Sequence, residues 1–117
     1  MTALAILLAS TSLQITVWTS DTAKAQHFTL RCNPVAGTLP HRAAACRKLL
    51  GMTRPFAPTP KNVACTDIYG GPQRARITGR LRGFSVRAEF SRTNGCEIGR
   101  WERVRFLFPI AVGANGS

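Results

Sequence analysis

Acidic residues, aromatics and apolar length are all scarce in this chain, and each shortage removes a class of protein. Asp and Glu together number five, against two His and one Tyr, in 117 residues. The carboxylates are scattered and no Ser sits in a nucleophile elbow, so catalysis is not expected. His27 and His41 read as a strand-end residue and a surface residue near a helix start, not as metal ligands. Aromatics at 8%, with no aromatic–basic motif, argue against a dedicated RNA-binding fold. Trp18 and Trp101 read as packing residues. No C-x-x-C pair occurs, which removes zinc-ribbon and thioredoxin-type spacings. The apolar run Met1–Ala9 is too short to cross a bilayer as a helix. There is no internal repeat, low-complexity tract or linker, and the length suits one domain.

What the chain has in quantity is arginine. Sixteen basic residues, thirteen of them Arg, give a formal charge of +11. Such a surplus favours solubility and attraction to anionic surfaces and says nothing of the fold. Apolar residues at 44% and charged residues at 18% are globular proportions.

Met1–Ala9 followed by small residues is similar to the apolar region of a secretory signal, although no Lys or Arg precedes it. Either the start lies upstream or the reading is truncated. Two cleavage zones compete, Ala23-Lys24-Ala25 and Ala9 to Ser12. The second leaves a strand pattern at Leu13 intact and is preferred. The expected organisation is a signal remnant at 1–12, one domain at 13–108 and a tail at 109–117.

Four cysteines, Cys32, Cys46, Cys65 and Cys96, in a small chain with a candidate export signal read as two disulfides. Three pairings are possible. The sequential one is favoured; it closes loops of 15 and 32 residues. The chain-entropy relation assigns those loops about 3 and about 3.7 kcal/mol.

Hydrophobic periodicity supplies the elements. Leu13–Trp18 and His27–Cys32 alternate as strands. Asn33-Pro34 and Gly37 break the chain, and Thr38 is a candidate cap for a helix from about Pro40 to Leu50. The proline-rich stretch Arg54–Lys61 reads as a surface loop. Ala75, Ile77, Gly79 and Leu81 form one face of a strand, Gly83 turns the chain, and Phe84, Val86, Ala88 and Phe90 form the same face of its partner. Asn94-Gly95 reads as a further turn. Trp101–Phe108 reads as a closing strand, with Val104, Phe106 and Phe108 inward. The resulting fold class is α+β, a five-stranded antiparallel sheet with one or two helices on one face. The other face would carry Arg74, Arg76, Arg80, Arg87, Arg103 and Arg105, either a solvated surface or an anion-binding one.

One run remains, Cys65-Thr66-Asp67-Ile68-Tyr69. A disulfide at Cys65 would hold the next residues out, extended and stiff. That preorganisation is what a serine-protease inhibitor offers its enzyme.

Taken in order, these pieces resemble the Streptomyces subtilisin inhibitor family. The features that carry the likeness are Leu13-Gln14-Ile15-Thr16-Val17, Phe28 to Pro34 with Gly37-Thr38-Leu39-Pro40, Ala44-Ala45-Cys46, the Cys65 run, Gly79 to Gly83, Phe90 to Glu97, and Val104-Arg105-Phe106. The resemblance implies secretion, the sequential disulfides, often a homodimer through the sheet, and standard-mechanism inhibition of subtilisin-like and sometimes trypsin-like endopeptidases. It places a reactive bond at Asp67–Ile68 in a loop of Cys65, Thr66, Asp67, Ile68 and Tyr69. It implies no cofactor and no small-molecule substrate.

Two residues set this chain apart from the family pattern. Asp67 stands where Met, Leu, Lys or Arg is common. An extra glycine in Gly70-Gly71-Pro72 predicts a looser loop on its downstream side. Three functions follow: an inhibitor tuned to an acid-preferring protease, an inhibitor of ordinary subtilisins that tolerates Asp67, or a non-inhibitory relative that binds anionic surfaces or polyanions through its arginines.

Overall fold

The computed structural model describes residues 10–109. The expected signal remnant lies largely outside these residues, as does all but the first residue of the expected tail.

Strand β1 (Thr11–Trp18) occupies the middle of a five-stranded sheet. Its alternation is strict: Leu13, Ile15 and Val17 are buried, and Ser12 and Gln14 are exposed. It pairs antiparallel with β2 (Gln26–Cys32) on one side and β4 (Arg74–Leu81) on the other. The outer strands are β3 (Ala36–Gly37), beside β2, and β5 (Phe84–Ser91), beside β4. The β4–β5 hairpin turns through Arg82-Gly83, both at positive φ. That is the backbone sense a two-residue hairpin turn needs to match strand twist. Arg82 therefore belongs to the turn, and its guanidinium donates to the Leu50 carbonyl.

Helices α1 (Arg42–Leu50) and α2 (Gly95–Arg103) and a 3-10 turn (Arg105–Leu107) lie on the apolar side of the sheet. Ala45, Cys46 and Leu49 of α1 and Trp101 of α2 are buried with Leu13, Ile15, Leu30, Ile77 and Phe90. Phe108 packs on Trp101 and on Phe90, with ring centroids 4.7 and 5.5 Å away. Cys32–Cys46 staples β2 to α1, and Cys65–Cys96 staples the long loop before β4 to α2. The α+β architecture, the two helices among the described residues and the sequential disulfides are as expected.

Four expectations are corrected. Trp101–Phe108 is not a strand: Trp101, Val104, Leu107 and Phe108 are all buried, and that spacing is helical. The fifth strand is instead β3, two residues that exist by pairing with Leu30 and Arg31. Thr38 does not cap α1, because its hydroxyl accepts from the Thr29 amide at 2.9 Å; His41 occupies the cap position with φ 56°. Phe84, expected inward, is 77% exposed. Beside the tip turn it stands opposite Leu81, itself only partly buried.

The open face of the sheet follows from register. Ser12 stands between Arg31 and Arg80, Thr16 between His27 and Arg76, and Trp18 beside Arg74. Arg87 lies opposite Thr78, and Glu89 opposite Arg76. Arg103 and Arg105, assigned to this face by the strand reading, sit instead on α2 and the 3-10 turn. Arg31 takes a place on the face that the strand reading had not given it.

Candidate functional site

The Cys65 run lies in irregular chain between α1 and β4. Cys65 is half-buried and disulfide-bonded to Cys96, the second residue of α2, at a Cα–Cα distance of 5.3 Å. One residue on, the Gly95 amide donates to the Thr66 carbonyl at 3.0 Å. Four residues further, the Gly70 amide donates to the Arg92 carbonyl at 2.7 Å. Between these fixed points Asp67, Ile68 and Tyr69 form an exposed arch, with Ile68 62% and Tyr69 64% accessible.

The arch is held from α2, and α2 starts where it does for local reasons. Asn94 is extended, and its side-chain oxygen accepts from the Glu97 amide at 3.0 Å, satisfying a free amide of the first turn. Gly95 follows because the loop leaves no room: a Cβ there would collide with the Thr66 hydroxyl. Glu97 then faces the upstream limb, where its carboxylate accepts from the Thr59 hydroxyl at 2.9 Å and pairs with Arg100 at 2.8 Å. Arg100 in turn donates to the carbonyls of Ala57 at 2.9 Å and Glu89 at 3.0 Å and lies over the Phe90 ring. One guanidinium thereby ties the proline-rich loop to β5.

The downstream limb is held by Arg92. Its Nε–H donates to the Gly70 carbonyl at 3.2 Å, and its NH1 group pairs with Glu102 at 2.8 Å. Glu102 also receives Arg105 at 2.9 Å. The hydrogen bond from Arg92 chiefly, with Arg105 adding to it against some desolvation, holds the Glu102 carboxyl below its ordinary 4.5. Gly70 is held at both its amide and its carbonyl by Arg92, and a Cβ there would press on Ile98 and on Arg92. The looseness expected of Gly70-Gly71 is thus corrected at Gly70. Gly71 has φ 127°, a backbone that L residues rarely adopt, so the second glycine carries the bend into β4.

The structure gathers Cys65, Thr66, Asp67, Ile68 and Tyr69 into one continuous feature. Sequence reasoning missed its supports, which are Thr59, Gly70, Arg92, Asn94, Gly95, Glu97 and Arg100. A signal existed for two of them: Asn94-x-x-Glu97 is a helix-start pattern. The other contacts are long-range and left no local trace.

Sheet, helical layer and stapled arch define a class of small disulfide-braced proteins that display a rigid loop. The profile of the subtilisin inhibitor-like family matches residues 9–94, and the chain belongs to that family. The match ends at Asn94, so the fourth cysteine and α2 lie beyond it. A chain of the crystal structure of Streptomyces caespitosus sermetstatin in complex with Bacillus licheniformis subtilisin is similar in fold, with TM-score 0.50 and 23% identity over 90% of this chain and 98% of that one. No curated protein matches this chain.

Proposed function

We propose that this protein is a secreted standard-mechanism inhibitor of serine endopeptidases whose reactive bond is Asp67–Ile68. The observation that carries the proposal is the three-residue exposed arch fixed at Thr66 and Gly70 and stapled at Cys65. Such an arch can add a strand to a protease cleft through main-chain hydrogen bonds, with little ordering entropy left to lose. The sermetstatin–subtilisin complex supports the class of partner.

Asp67 sets the partner within that class. An apolar specificity pocket would bury its carboxylate without a counter-charge, a loss of several kcal/mol. A protease that prefers acidic residues supplies a cationic pocket instead. The test is a titration of subtilisin, trypsin and a glutamyl-specific endopeptidase with the oxidised protein and with Asp67→Met. Tight inhibition of the acid-preferring enzyme alone, moving to subtilisin in Asp67→Met, is the expected result. Inhibition of none by either protein would sink the proposal.

A second reading rests on the open sheet face, where Arg31, Arg74, Arg76, Arg80 and Arg87 accompany one carboxylate, Glu89. It is a non-inhibitory protein that binds a polyanion there. Affinity for a phosphate polymer should then fall steeply with salt, and the Asp67 variant should leave it unchanged. A homodimer through the same face would oppose like charges, so we expect it to strengthen as salt screens them.

A further inference from the structure

We propose that Arg92 is a positioning residue for resealing the reactive bond, an inference that rests on the assignment of Asp67–Ile68 above. In the forward step the protease serine oxygen bonds to the Asp67 carbonyl carbon. The Asp67–Ile68 C–N bond breaks, and the Ile68 nitrogen leaves with the proton taken from the serine. In the reverse step the neutral Ile68 amine attacks the ester, the C–N bond re-forms and the serine oxygen recovers its proton. Inhibition lasts only if the amine waits beside the ester.

Arg92 fixes how far that amine can travel. It meets Gly70 twice, accepting the Gly70 amide on its own carbonyl at 2.7 Å and donating Nε–H to the Gly70 carbonyl at 3.2 Å. With Gly70 held, Ile68 and Tyr69 alone are free after cleavage, a tether of about 7 Å at full extension. With Gly70 released, the next buried residue is Gln73, just before β4, and the tether grows to roughly 17 Å. The volume open to the amine rises by more than tenfold, and its effective concentration at the ester falls in proportion.

The side chain is built for this placement. It is 15% exposed, lies over the Trp101 ring and is braced by Glu102. Its planar fork serves two acceptors in different directions, the Gly70 carbonyl through Nε and the Glu102 carboxylate through NH1. A lysine keeps the charge and lacks that fork. Arg92 comes directly after β5, so the strand's own rigidity reaches the loop through it.

The test compares the parent, Arg92→Lys and Glu102→Gln with catalytic amounts of the protease that the parent inhibits. The equilibrium ratio of cut to intact inhibitor is approached from both sides and read by chromatography, and the thermal midpoint of each intact protein is recorded. Arg92→Lys removes the Nε–H bond and keeps the Gly70 amide on the residue-92 carbonyl, so we expect the ratio to rise about two- to tenfold, with inhibition decaying during incubation. Glu102→Gln keeps the Nε–H donor and should give a smaller rise. An unchanged ratio in Arg92→Lys overturns the proposal, as does a ratio that moves only as far as the thermal midpoint explains. A parent that is never cut at Asp67–Ile68 overturns the bond assignment with it, and that failure is visible before any variant is made. Should Arg92→Lys not fold, exchange of the Arg92 Nε–H in the parent decides: protection from solvent supports the clamp, and free exchange refutes it.

Discussion

Removing the two disulfides one at a time separates the fold from the arch. Cys32–Cys46 spans 14 positions and joins β2 to α1; Cys65–Cys96 spans 31 and joins the arch to α2. The chain-entropy relation gives about 3.0 kcal/mol for the first loop and about 3.7 kcal/mol for the second. For a domain of this size each Cys→Ser pair should lower the thermal midpoint by roughly 12 to 30 °C, with the second a few degrees worse. Inhibition should split the two completely. Opening Cys65–Cys96 frees the residues beside Asp67. Reordering two of them in the protease cleft costs roughly 2–4 kcal/mol, equivalent to about thirty- to a thousand-fold in the inhibition constant. Opening Cys32–Cys46 leaves the contacts of Thr66 and Gly70 in place and should move that constant less than threefold. The assay is inhibition at 25 °C, where folding of each variant is first verified by circular dichroism, alongside thermal melts. Equal weakening by both pairs would refute the view that the arch is held locally from α2.

Three further perturbations have worked directions. Glu102 ionises below 4.5 in the folded protein, so the stability it contributes is present above its unfolded value and lost as pH falls through the folded one. Urea unfolding between pH 5 and pH 2 should show a flatter acid limb in Glu102→Gln than in the parent. Gly71→Ala forces a Cβ at φ 127° and towards the Gln73 side-chain oxygen, and should destabilise by about 1–3 kcal/mol in the same assay. Asn94→Ala removes the acceptor of the Glu97 amide and should cost about 1 kcal/mol by chemical denaturation, with weaker inhibition because α2 carries the arch.

How much was legible in the sequence depended on how local each cause was. β1, β2, β4 and β5 were readable because their alternation is imposed by one buried face, and the hairpin because Gly83 breaks it, although Arg82, read as a strand residue, stands in the turn at positive φ. The segment from Trp101 to Phe108 was misread because Arg103 and Arg105 alternate with Val104, Phe106 and Phe108 as strand residues would. Leu107 was the discordant residue: it is buried, and a strand would have faced it outward. β3 is two residues long and has no pattern to read. The Cys65 loop was legible through its cysteine and through the resemblance of the Cys65–Tyr69 run to a reactive-site segment. Its downstream support was not, because Gly70 is held by hydrogen bonds to Arg92, more than twenty positions away.

Scarce carboxylates make their placement informative. Of the five, Glu89 pairs with Arg76, Glu97 with Arg100, and Glu102 with both Arg92 and Arg105. Glu97 and Glu102 brace the two limbs of one loop, upstream through Thr59 and downstream through Arg92. The loop is therefore held by hydrogen-bonded ion pairs at the edge of the core, and these keep their geometry only while α2 stays docked through Trp101. Asp67 stands apart from that set: it is exposed at the arch rather than joined to the bracing pairs. Three acids are thus tied to the chain's own arginines, while Asp21 and Asp67 are exposed and outside those pairs.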